Sequence, residues 1–138
     1  MSKQNNEFKL TEREIDILNI LWSAGKPLVA SDIHKLDNSI SLNTIQAVLR
    51  KLLCKKLIEV AEIVYSRTVL SRSYRPTISF HDFSMQGIVK QIKDLDKSIS
   101  TPSIVATLLE YEKNEEVIIE QLEEMLQERK KQLKDRRN

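Results

Sequence analysis

The sequence predicts a mainly helical fold: three short helices, a small β-ribbon behind them, and then a second group of helices. Three observations predict it. Apolar residues recur at spacings of three and four through most of the chain, the period of a helix with one buried face. Glycine and proline are scarce, two and three in 138 residues, while Leu, Ile, Glu and Lys abound. Only residues 58–65, Ile-Glu-Val-Ala-Glu-Ile-Val-Tyr, combine partial alternation with β-branched residues, as a strand does.

The elements follow in order. Thr11-Glu-Arg-Glu14 has the S/T-x-x-E form of a capping box, so a helix starts here. Leu10 precedes the cap and is placed to pack on Ile15. The helix runs to about Ser23 with Ile15, Leu18, Leu21 and Trp22 turned inward, and Gly25 and Pro27 stop it. Trp22 lies on the apolar stripe and is read as core. Leu28-Val29-Ala30 is a short strand or the lead into the second helix. That helix starts at Ala30 or Ser31 and reaches about Leu36, burying Ile33 and Leu36. His34 is placed on the surface, with no partner pattern for a metal around it. Asp37-Asn38-Ser39 is turn chemistry.

The third helix, within residues 41–57, is the most informative segment. Ser41 is a good N-cap, and Ile45, Val48, Leu49, Leu52 and Leu53 share one face. The other side carries Asn43, Thr44, Gln46, Arg50 and Lys51, with Leu42 and Ala47 among them. Hydrogen-bonding and cationic side chains in that arrangement suit base edges and phosphates. Cys54 falls near the apolar face and is expected to be a buried structural thiol rather than a redox sensor. As the lone cysteine it excludes an internal disulfide and a multi-cysteine metal site.

After the strand at 58–65, residues 66–72 lack glycine and predict a long loop; residues 73–75 return as a second strand, which Pro76 ends. Arg67, Arg72 and Arg75 decorate this ribbon. Arginines near a ribbon tip can follow a phosphate backbone or enter a minor groove; the alternative is a plain solvated hairpin. Three helices closed by such a ribbon make a winged helix-turn-helix, and the partner it implies is double-stranded DNA.

Beyond this, residues 81–97 read as a helix with Phe83, Ile88, Ile92 and Leu95 on its apolar side. Thr101 is expected to cap the next helix, with Pro102 at its first position and Ile104, Val105, Leu108 and Leu109 on one face. Asn114 begins or interrupts a last helix in which Val117, Ile118, Leu122, Met125 and Leu126 recur at helical spacing. The division expected is a DNA-binding domain over 1–79 and a helical dimerisation domain over 80–138. The second part is too thin to bury its own apolar stripes, so a homodimer is expected, and its two-fold symmetry suits an inverted-repeat operator. The basic end at 129–137 favours a helix C-terminus, with an auxiliary DNA contact as the alternative.

Charge supports this order. The net charge is +2. Residues 1–39 carry five basic and six acidic side chains, residues 40–79 seven and two, and residues 80–138 ten and twelve. The excess positive charge therefore collects on the third helix and ribbon, the footprint of a duplex-binding face. No G-x-G-x-x-G, P-loop, H-E-x-x-H or nucleophile elbow occurs, so no enzyme, cofactor or metal site is expected. With no signal peptide, transit peptide or long apolar run, the expectation is a cytoplasmic protein without a membrane partner. A winged-helix protein-interaction module that does not read DNA is the alternative function.

The succession Leu10-Thr-x-x-Glu14-x-x-Ile17-Leu18-x-x-Leu21-Trp22, then Ser41-x-x-Thr44-Ile45-Gln46-x-x-Leu49-x-x-Leu52, then Tyr74-x-Pro76 resembles the penicillinase-repressor family. Ser103-Ile-Val-x-x-Leu108-Leu-Glu110 with the acidic helix behind it resembles that family's dimerisation region. The resemblance spans about residues 10 to 130. It implies a winged-helix transcriptional repressor with a helical dimerisation domain, acting at TACA/TGTA-like half-sites. It also implies that Asn43, Thr44 and Gln46 face the groove while Lys51 holds the backbone. The family's frequent Trp before the cap is Ile40 here, and its Pro and Lys after the cap are Leu42 and Asn43. Asn pairs with adenine where Lys favours guanine or phosphate, so a different operator is expected. The resemblance further implies a releasing partner, a sensor or a protease. Ala106-Thr107-Leu108-Leu109 stands where the β-lactam-responsive members carry a cleaved Asn-Phe pair, and the Cys-x-Cys cluster of the copper-responsive members does not occur.

Overall fold

The computed structural model describes residues 9–66, 68–95 and 97–137. Its elements are α1 (Glu12–Ala24), β1 (Leu28–Val29), α2 (Ala30–Leu36), α3 (Leu42–Cys54), β2 (Ile58–Ser66), β3 (Val69–Pro76), α4 (Phe80–Lys93), α5 (Thr101–Glu110) and α6 (Glu115–Arg137). The chain divides into two compact units, 1–93 and 94–138.

The first unit holds the core. Ile17, Leu18 and Leu21 of α1, Ile33 of α2, and Ile45, Leu49 and Leu52 of α3 meet Leu28, Leu57 and Ile58. The three strands run antiparallel in the order β1-β3-β2 and close one side of this cluster. α1 starts as the capping box requires. The Thr11 hydroxyl accepts from Glu14 N at 3.2 Å, and Glu14 Oε1 accepts from Thr11 N at 2.8 Å. Leu10 packs on the core itself. Ile15, expected inside, is 39 % exposed. The inward stripe is Glu14, Ile17, Leu18 and Leu21, and a helix turns the residue after Glu14 about 100° away from it. In α2 only Ile33 is buried; Leu36, expected beside it, ends the helix 63 % exposed.

A charged pair across the core was not anticipated. Glu14 is 1 % exposed, and Lys55 Nζ reaches its two carboxylate oxygens at 2.8 and 3.0 Å. Burial alone would raise the Glu14 carboxyl, but bonds from Lys55 and Thr11 with the lysine's charge outweigh it and hold the group below its ordinary value. A depressed carboxyl contributes stability above its unfolded pKa, near ~4.3, and loses it as pH falls through the folded value. Breaking a buried pair costs about 3–5 kcal/mol. Lys55 is 36 % exposed and regains water, so Glu14→Gln should cost only about 1–2 kcal/mol. Urea denaturation should find that deficit at pH 7 and find it shrinking below about pH 4.3; a deficit that persists undiminished at pH 3 contradicts the pair's role.

Both ends of α3 are tightly made. Ser41 caps its start, and Leu57 N to Leu52 O (3.0 Å) with Lys56 N to Leu53 O (2.9 Å) form a Schellman ending. Lys56 occupies the left-handed position at φ 62°, where glycine is usual. No sequence signal marked that stop. Cys54, expected buried, is exposed. It falls eleven residues after Asn43, in line with Ala47 and Arg50, and so leaves the stripe of Leu49 and Leu52.

The ribbon is longer and its turn shorter than expected. β3 begins at Val69, and the register runs from Ile58 against Pro76 to Ser66 against Val69, leaving only positions 67 and 68 between the strands. Val69-Leu-Ser-Arg72 extends the ladder as strand instead of looping. A bulge lies between Val60 and Glu62. There the buried Ser73 hydroxyl accepts from Glu62 N at 3.2 Å and donates to Glu62 O at 3.0 Å, satisfying backbone that the bulge frees.

α4 starts on this unit. Trp22 Nε1 donates to Ile78 O at 2.9 Å, and its ring meets Phe80 and Phe83 at centroid distances of 5.4 and 5.3 Å. Phe83 thus takes its expected apolar place, while Leu95 lies beyond the helix and 47 % exposed.

In the second unit α5 and α6 pack on one another. The cap of α5 is Ser100, not Thr101: the Ser100 backbone is extended and its hydroxyl accepts from Ser103 N at 3.2 Å. Thr101 is then the first helical residue. Asn114 begins α6, its carbonyl accepting from Val117 N and Ile118 N. No described residue of α4, α5 or α6 is fully buried. Among the described residues, no helix is long and apolar enough to cross a membrane.

Candidate nucleic-acid interface

The site is built outward from α3. Its buried stripe fixes the helix on α1 and α2, and this leaves Asn43, Gln46, Arg50 and Lys51 exposed, with Thr44 and Ala47 half-buried. Ser41 and Thr44 act together. The Ser41 hydroxyl accepts from Thr44 N at 3.1 Å and donates to Thr44 Oγ1 at 2.9 Å. The Thr44 hydroxyl proton therefore remains to be donated outward.

The turn entering α3 is also held. Asp37 accepts from both the backbone and the hydroxyl of Ser39, which keeps its carboxyl below the ordinary value. His34, expected on the surface, is half-buried with Nδ1 2.8 Å from Ile40 O. A carbonyl only accepts, so that nitrogen carries the proton. Sequence reading missed this role because a His–carbonyl contact leaves no pattern in residue spacing.

An open groove of about 680 Å³ runs between α3 and the ribbon. Leu42, Gln46, Leu49, Arg50 and Leu53 form one wall, and Val69, Leu70, Ser71, Arg72 and Tyr74 the other, with Ala30 and Ser31 between them. Arg50 and Arg72 thus converge on one groove from different elements, and neither has an ion-pair partner within 4.0 Å among the described residues. Asn43, Ala47 and Lys51 are not among the residues that line the groove. Arg75 is not brought to this groove: it pairs with Glu59 on the neighbouring strand at 2.7 Å. Arg67 lies outside the described residues.

The residues expected at a dimer contact lie on α4, α5 and α6. Ile88, Val105, Leu108, Val117, Met125 and Leu126 are exposed, and Ile92, Ile104, Leu109, Ile118 and Leu122 are half-buried.

Three packed helices with a twisted hairpin beside the third, and unpaired cations on that third helix and the hairpin, define a winged-helix protein of the DNA-binding class. The chain matches the model of the penicillinase repressor family over residues 10–128 and belongs to that family. It is therefore a DNA-binding transcriptional repressor rather than an enzyme, and this decides against the reading as a protein-interaction module. A comparison with curated proteins finds no individual match.

Proposed function

We propose that this repressor binds an inverted-repeat operator as a homodimer, acting in the cytoplasm, with α3 in the major groove and the ribbon along the adjoining backbone. The observation that carries this reading is the convergence of Arg50 and Arg72 on the groove between α3 and the ribbon. A phosphate strand passing there meets two guanidinium groups, and base edges beyond it meet Gln46 and Asn43. Thr44 donates to the backbone, Lys51 adds a phosphate contact, and Ser41 and Ala47 permit close approach. Leu42 offers an apolar side chain to a thymine methyl, and Asn43 a bidentate pair to adenine. Arg67 is assigned to the ribbon's backbone contact by its sequence position alone, and Arg75 joins it only by leaving Glu59.

The functional boundary in this reading falls at 79/80. Apolar side chains of α4, α5 and α6, from Ile88 to Leu126, meet a second copy, and a sensor or protease relieves repression. Selection of binding sites from a random duplex pool tests the proposal. The sequences recovered should be inverted repeats with half-sites about ten base pairs apart, centre to centre. Their affinity should fall steeply with salt, by about 0.9 in log K per unit log salt for each phosphate neutralised. Recovery of unrelated sequences, or salt-independent binding, overturns it.

A further inference from the structure

α6 carries a charge pattern that a single chain leaves unused. Six glutamates, ending at Glu128, precede six Lys and Arg residues, beginning at Arg129. Among the described residues none of them has an ion-pair partner within 4.0 Å. Glu116, Glu120, Glu124 and Glu128 instead stand four apart, a spacing at which like charges repel. The helix dipole favours acids first and bases last, but only within the terminal turns. Glu123, Glu128 and Lys130 lie in the middle of the helix, where that preference has faded.

An apolar seam gives the pattern its direction. Ile119, Leu122, Leu126 and Leu133 recur with Arg129 and Arg136 at alternating spacings of three and four, the interval of a two-helix contact. Leu126 and Leu133 are about half exposed, 56 % and 45 %. Along one flank of the seam Glu116, Glu123, Lys130 and Arg137 fall seven residues apart. The other flank carries Ile118, Met125 and Gln132, which have no charge. Like flanks face each other in an antiparallel pair of helices, and opposite flanks in a parallel pair. A parallel pair sets the four charges against Ile118, Met125 and Gln132. An antiparallel pair sets Glu123 beside Lys130 and Glu116 beside Arg137 of a second copy, and two-fold symmetry repeats both.

We propose that α6 docks antiparallel on α6 of a second copy, the two crossing near residues 127 and 128, with this flank setting the orientation. The overlap, from about 116 to 137, is roughly 30 Å long. The proposal rests on the homodimer reading and adds to it the direction and register of one contact.

Disulfide trapping tests it in the full chain carrying Cys54→Ser. Under mild oxidation Glu123→Cys/Lys130→Cys should form a cross-linked dimer. Within one chain those positions lie about 10 Å apart along the axis and cannot bridge. Leu133→Cys alone should not cross-link, because its antiparallel counterpart lies near Leu122, whereas a parallel pair brings the two copies of residue 133 together. Charge exchange supplies a second readout by sedimentation. Glu116→Lys/Glu123→Lys should weaken dimerisation at low salt by about tenfold, and adding Lys130→Glu/Arg137→Glu should restore it. Circular dichroism should show the same helical content in the double and fourfold variants, which assigns the recovery to the contact between copies rather than to pairs within one helix. A dimer that fails to trap at 123–130, that traps at 133, or whose fourfold variant stays weak overturns the antiparallel contact and leaves the homodimer standing. A monomer at tens of micromolar overturns both.

Discussion

Replacing Arg50 and Lys51 together by alanine is expected to reduce operator affinity at least a hundredfold while leaving the protein folded and its oligomeric state unchanged. Both side chains are exposed and unpaired among the described residues, so their loss removes no intramolecular ion pair. Base and phosphate contacts of this kind are worth about 1–3 kcal/mol each, and a two-fold complex loses them twice. The salt dependence should flatten as well. Four fewer neutralised phosphates lower the slope of log K against log salt by about 3–4. Fluorescence anisotropy with a selected inverted repeat, titrated between low and moderate salt, measures both quantities. Unchanged affinity with an unchanged slope would remove α3 from the interface.

Ile33→Ala should be the most damaging single truncation of the first unit. Ile33 has no exposed surface and is the only buried residue of α2, a seven-residue helix whose start has no side-chain cap. A helix so short is not stable alone and depends on what it buries. Removing a buried isoleucine costs about 2–5 kcal/mol, a large share of what a small domain has. The melting temperature of this unit, followed by Trp22 fluorescence, should drop on the order of 15–20 °C. DNA binding should fail with it at 37 °C, since α2 supports α3. The helical signal of α5 and α6 should persist, because the buried core draws no residue from them. A loss under 1 kcal/mol would mean that α2 is held by something other than Ile33.

Much of this architecture was legible wherever the signal was local. The Thr11–Glu14 capping box, the Ser41 cap and the Ile45–Leu52 stripe each sit within a few residues of one another, and each is formed as the spacing requires. The misread positions had a local pattern that distant contacts override. Val69-Leu-Ser-Arg72 is a strand because β2 lies alongside, though nothing in those four residues alternates. Leu36 stands three residues after the buried Ile33 and Cys54 directly after Leu53, yet both turn outward at the last turn of their helices. Glu14 was legible as a cap, but its second partner is forty-one residues away. The polar side of α3 was readable from periodicity. The shared groove of Arg50 and Arg72 depended on where the ribbon folds back.

The way α3 is held has one more consequence. At its start stand the Ser41 cap and the His34 bond to Ile40; at its end stand the Schellman turn and the Lys55–Glu14 pair, which ties it to the first turn of α1. A helix clamped at both ends behaves as a fixed template rather than a hinged probe. It loses little freedom on docking, and it has little ability to tilt toward a poorly matched site. Such rigidity acts as much against wrong sequences as in favour of the right one, so discrimination here owes something to the bonds behind the helix that never touch DNA.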